Sequence, residues 1–146
     1  MRISFSILNN KAVIPEMENG ILVFHSAGPA VLQPGEIKRI KTGLAVAVEE
    51  GCVLQIISWA GLYEKGVCVF PGPLVIDSSH SAELFIPLQN NGRGQVNLLP
   101  GELIARGMVV KTEQIEITEL TAPPSSPKAP KTRPSKKNSD IKFEIK

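Results

Sequence analysis

The chain has 146 residues, 42% of them hydrophobic and 5% aromatic, enough for one domain with a real core. No stretch of about 18 uncharged apolar residues occurs, which excludes a helical membrane span. The net charge of +2 conceals a split: residues 122–146 carry seven Lys/Arg against Asp140 and Glu144, while the rest carries nine basic and twelve acidic groups.

The opening "MRISFSILNNKAVIP" has neither the long apolar core nor the small-residue cleavage site of a signal peptide, so an intracellular location is expected. Cys52 and Cys68 read as reduced core residues rather than as a bridge or metal ligands. From residue 3 to about residue 120, short Val/Ile/Leu runs are broken at Ala27-Gly28-Pro29, Pro34-Gly35, Glu50-Gly51, Pro71-Gly72-Pro73, "NNGRG" and Pro100-Gly101. Twelve Gly and twelve Pro at breaks every ten to fifteen residues predict many short strands in a sandwich or barrel. "SWAGLYEKG" differs: Ser58 suits an N-cap, Gly66 the residue after a helix end, and Leu62 an inward position on one or two helical turns. "PLVIDSSHSAELFIPLQNN" places Asp77 at a hairpin tip, and "TEQIEITEL" alternates as a final strand. The Pro-rich, Lys-rich remainder reads as a disordered basic tail, giving a domain over 1–121 and a tail over 122–146. The last six residues, "IKFEIK", alternate again and could add a strand to a neighbouring sheet.

The order of these pieces resembles the trimeric dUTPase family. "PGEIKRIKTGLAVAVEEG" is similar to the family's scaffold, "GLYEKG" to its second motif, "VIDSSHSAE" to its third, and "LQNN" with "GELIARGMVV" to its fourth. The resemblance covers roughly residues 18–112. It implies an all-β, jelly-roll-like barrel with one short helix, and a homotrimer in which each site draws on more than one subunit.

At the catalytic positions the resemblance implies departures. Val23 stands where the first motif supplies an acid. Trp59 and Ala60 stand where the second supplies Arg and Ser, so the bidentate fork suited to phosphate oxygens is missing, although the amides of Ala60 and Gly61 remain. Asp77 keeps the place of the acid that activates water. His80 stands for the tyrosine under the sugar, and Arg106 for a phosphate-holding glutamine. Backbone groups from Ile76 onward would read the base. The glycine-rich closing arm is absent, since the last glycine is Gly107, with Arg133 and Phe143 as the only remnants.

The expectation that follows is a catalytically inactive dUTPase-like protein, resembling the degraded, dUTPase-derived early-region-4 oncoprotein of adenoviruses and acting on host or cellular protein partners, with no cofactor. The alternatives are a divergent Mg²⁺-dependent enzyme splitting dUTP into dUMP and pyrophosphate with Asp77 activating water, and a nucleotide binder that does not cleave. Bland readings stand beside the sharp ones. Asp77 before two serines is ordinary turn chemistry, His80 a solvated histidine, and His25 a strand residue on the polar face. Trp59 is either an exposed anchor for a partner or a core residue covering a vacated pocket. The basic tail either solubilises or binds nucleic acid.

Overall fold

The computed structural model describes residues 1–125. The tail readings that concern residues 126–146, including Arg133, Phe143 and "IKFEIK", lie outside them. Residues Met1–Gln114 form one compact unit. As expected, it is all-β with a single short helix.

The elements follow the breakers. They are β1 (Ile3–Ile7), β2 (Met17–Glu18), β3 (Ile21–His25), β4 (Ala30–Leu32), β5 (Ile37–Val48) and β6 (Cys52–Ser58), then the helix α1 (Ala60–Tyr63). After it come β7 (Val67–Val69), β8 (Leu74–Ile76), β9 (Glu83–Asn90), β10 (Val96–Leu98) and β11 (Leu103–Lys111). A four-stranded sheet runs β1-β5-β9-β7, a five-stranded sheet β2-β3-β11-β6-β8, and β10 pairs with β4. All pairings are antiparallel. Strict alternation along β9, with Leu84, Ile86, Leu88 and Asn90 buried, turns one face of the first sheet inward. Phe24, Leu54 and Ile56 from the second sheet are fully buried in the same core.

Two glycines fix the chain's path. Gly43, at φ +70, marks a register shift on β5 between Lys41 and Ala45, the extra-residue kink that bends a long strand. Gly66, at φ +88, lies so close to Gly92 that a Cβ would sit 2.7 Å from its Cα. Only glycine accepts both the conformation and the contact. Near that crossing, Asn90 is completely buried. Its amide donates to Leu32 O at 3.0 Å and Gly94 O at 2.8 Å, and its oxygen accepts from Gly92 N at 2.9 Å.

Three expectations need correction. Asp77 is not at a hairpin tip: β8 pairs with β6 and β9 with β5 and β7, so residues 77–82 cross from one sheet to the other. "TEQIEITEL" forms no strand. Residues 112–120 carry no regular structure, and Ile115, Ile117 and Leu120 are 74%, 86% and 61% exposed. The alternation is real, but among the described residues no strand pairs with it, and a strand needs a partner for its N–H and C=O groups. Ser58 does not cap α1; its hydroxyl accepts from Val69 N at 2.9 Å, and Trp59 takes the cap position.

Asn90→Ala strips partners from the buried Leu32 carbonyl and from the part-buried Gly94 carbonyl and Gly92 N–H, and is expected to lower unfolding stability by about 3 kcal/mol. Urea denaturation of the two proteins measures this.

Candidate functional site

The 77–82 crossing is built by its own side chains. Asp77 Oδ1 accepts from Ser79 N at 2.9 Å and Ser79 Oγ at 2.6 Å, and Asp77 O accepts from His80 N at 3.2 Å. These bonds, the Ser79 hydroxyl first, hold the Asp77 carboxyl below the usual carboxylate range. Both side-chain bonds fall on Oδ1. The second oxygen is left for other work on an exposed residue. His80 places Nε2 3.0 Å from Ala82 O, which folds the ring back onto the loop. The Ile76 side chain is core, 7% exposed, so only its backbone is available to a ligand.

The second cluster surrounds α1. Trp59 is extended (φ −97, ψ 133) and offers no side-chain cap. Its carbonyl accepts from Leu62 N at 3.1 Å and Tyr63 N at 2.9 Å. Four residues make too short a helix for a large dipole, so the turn offers an anion little beyond its N–H groups. The Trp59 ring packs against the core and lies over Gly61, where a Cβ would meet it at 2.5 Å. The side chain is half-buried rather than fully exposed. Arg106 joins this cluster because β11 pairs with β6 in the register Ala105↔Ser58 and Arg106↔Ile57.

The two clusters do not meet within one chain. β8 pairs with β6 as Ile76↔Leu54 and Leu74↔Ile56, so Asp77 continues toward Val53. That is five residues from Ser58, about 17 Å along a strand. Trp59, Ala60, Gly61 and Arg106 sit at one end of β6; Ile76, Asp77 and His80 sit at the other. Concave surfaces lie elsewhere: a cleft of about 470 Å³ is lined by Met1, Arg2, Ser4 and Ala47–Glu49. An apolar one of about 260 Å³ involves Ile3, Met17, Gly20 and Val109. Neither holds the chemistry.

Sequence reasoning read His25 as a strand residue on the polar face. It pairs with Leu103 at the end of β3, on the same face as Val23 and Arg106, and its Nδ1 is buried with no hydrogen-bond partner.

A barrel of short antiparallel strands, carrying an aspartate in an intersheet loop and a one-turn helix after its sixth strand, defines a class. The dUTPase family model matches residues 17–133. The deoxyuridine 5'-triphosphate nucleotidohydrolase of Nautilia profundicola is 32% identical over 124 residues, covering 82% of this chain and 87% of that protein. The Chlamydia trachomatis protein of the same name is 34% identical over 92 residues, covering 62% and 63%. In fold, a mutant dUTPase of Staphylococcus aureus phage phi11, described with a structural Mg(II) ion, superposes with a TM-score of 0.77 at 21% identity over 86% of this chain and 100% of that one. The dUTPase of Staphylococcus bacteriophage 80alpha does so with 0.77 at 22% identity over 85% and 99%. The chain belongs to the dUTPase family.

Two outcomes follow from the local geometry. The Asp77 carboxyl titrates below an ordinary aspartate, and Ser79→Ala moves it up toward the usual range; carboxyl-carbon NMR measures both. Because the folded-state value is lowered, the loop's stabilisation is present above the ordinary carboxylate range and lost as pH falls through the lowered value. Gly61→Ala pushes the indole off the turn, since the ring, not backbone, is what the new methyl meets. The emission of Trp59, the only tryptophan, then shifts to longer wavelength with the fold retained by circular dichroism.

Proposed function

We propose that this protein is a divergent dUTP nucleotidohydrolase, releasing dUMP and pyrophosphate. The observation that carries the reading is the Asp77 carboxylate, kept ionised by Ser79 through one oxygen and free at the other. Such an acid can take the proton of an attacking water at the surface of a site. The backbone of residues 76–82 is the part of the chain that would face the base, and the Ala60–Gly61 turn with Arg106 would face the phosphates.

These two regions lie at opposite ends of β6, so in this reading a complete site needs regions from different copies, and the assembly is a homotrimer as the family resemblance implies. The sequence of the second sheet supports an association. β3, β6 and β11 read "ILVFH", "CVLQIIS" and "LIARGMVVK", with Ile21, Val23, Val53, Ile57, Met108 and Val110 half-buried on the face turned from the core. Strands apolar on both faces belong where both faces are covered. A divalent cation would come with the triphosphate. It would neutralise phosphate charge there. The substrate is intracellular, so the proposed activity belongs inside a cell.

One observation favours a second reading, a retained scaffold that does not hydrolyse and serves protein partners. The indole over Gly61 takes up the α1 turn and leaves it without a cation. The two readings separate in a pyrophosphate-release assay with dUTP and the other common nucleotides, in Mg²⁺ and in EDTA. The first reading expects Mg²⁺-dependent release from dUTP that falls at least about a hundredfold in Asp77→Asn. No release from dUTP at high enzyme concentration, or equal release by the variant, overturns it.

A further inference from the structure

The outward face of the four-stranded sheet carries charges and rings that neither the core nor the two clusters along β6 use. Alternation puts Ile37, Arg39 and Lys41 of β5 on this face with Phe85 and Pro87 of β9, while Ile40, Ile86 and Leu88 turn inward. Lys41 stands opposite Phe85, and Arg39 opposite Pro87. The Arg39 guanidinium lies over the Phe85 ring, its carbon 4.3 Å from the ring centroid. The far end of β7 widens the face. Val69 pairs with Leu88, so Phe70 follows opposite Pro87, its N–H donating to Pro87 O at 3.0 Å. Phe70 is exposed where Val69 before it is buried. The two phenylalanines are therefore diagonal neighbours, about 7–8 Å apart. Along the other flank, a cleft of about 220 Å³ runs between Gly28–Ala30 and Lys38–Lys41.

Arg39 and Lys41 are both exposed. Among the described residues neither joins an ion pair, since the one such pair is Lys38 with Glu36. The acid on the same side of β9, Glu83, lies beyond the β5 register shift, opposite Ala45. A guanidinium held flat on a ring presents its other side to a second flat group and its N–H groups to oxygens. Bases joined through phosphates match this mixture of rings and cations. An acidic peptide would answer the charges and leave Phe70 and Phe85 uncovered. A duplex would offer its phosphates but keep its bases stacked on one another.

We propose that this face binds single-stranded nucleic acid, with bases stacked on Phe70 and on the Arg39–Phe85 pair and phosphates met by Lys41 and Arg39. Recognition is of strand and charge rather than of sequence, because every base has a π-face. The surface is separate from the α1 and Asp77 clusters, which β6 places in the other sheet, and it does not rest on the nucleotide chemistry proposed above.

The test is fluorescence anisotropy of the full chain with a labelled oligothymidylate of about 20 nucleotides, longer than one such face covers, in EDTA and over a range of salt. Wild type is expected to bind, more weakly as salt rises. Phe70→Ala and Phe85→Leu are each expected to weaken binding about fivefold or more, the worth of one stacked base. Lys41→Gln is expected to lower the affinity and to reduce the slope of log affinity against log salt by about 0.7, the share of one phosphate contact to a single strand. Lys111→Gln, at the end of β11 in the other sheet, is expected to bind nearly as wild type. Circular dichroism and melting confirm the fold of each variant. Wild type that does not bind overturns the proposal. Binding unchanged in all three face variants also overturns it, and assigns the oligonucleotide to the basic residues of 122–146. Equal binding of a duplex of the same length, or displacement by poly-glutamate as effective as by unlabelled oligonucleotide, overturns it in favour of charge alone. Displacement by excess dUMP overturns it in favour of the nucleotide site.

Discussion

β6 is the constraint on which the rest of the site depends. Its seven residues pair with β8 on one side and β11 on the other, so the Asp77 crossing and the α1 turn are both set by one strand's register. A slip of one residue would turn every side chain of β6 to the opposite face and expel Leu54 and Ile56 from the core. Burial therefore fixes the separation of the two clusters, and no loop movement brings them together. Chemistry that uses both ends must come from juxtaposed copies.

The same sheet accounts for the changed electrostatics. With a tryptophan at the cap position, the α1 turn is held by contact: the indole lies over Gly61, and Leu62, 2% exposed, anchors the helix from below. A cationic side chain there would project into solvent, whereas an indole gains by covering apolar surface. Positive charge has not left the region; it lies one strand over, on Arg106. There it is half-buried, beside Val23 and Ile57 on the face turned from the core.

Much of this was legible in the residues. The Gly and Pro breakers marked most of the strand ends, because turns need φ values that few residues supply, and the alternation of "ELFIPLQN" gave the inward face of β9 directly. The one-turn helix was visible from Leu62 and Gly66, but its cap was misplaced by one residue because Ser58 is engaged by Val69, a partner eleven residues away. The Asp77 crossing was misread as a hairpin for the same kind of reason: local sequence specifies a turn, and only long-range pairing decides which sheets it joins. "TEQIEITEL" shows the converse, a good strand pattern that meets no pairing strand among the described residues. His25 was placed on its strand, but the burial of its Nδ1 without a partner is a property of packing, which periodicity does not record.

The serines around Asp77 sharpen what its retention means. An Asx turn of this kind asks for one acceptor oxygen, and Asn would supply it with nearly the same geometry. Asp77 gives the turn what it needs through Oδ1 alone. What an aspartate adds over an asparagine is a negative charge and a second, unengaged oxygen on an exposed loop, neither of which the fold requires. Local stability therefore explains the turn and leaves the charge unexplained. The charge is the feature that general-base chemistry uses, and the Ser79 bonds keep it present down to a pH below the ordinary carboxylate range.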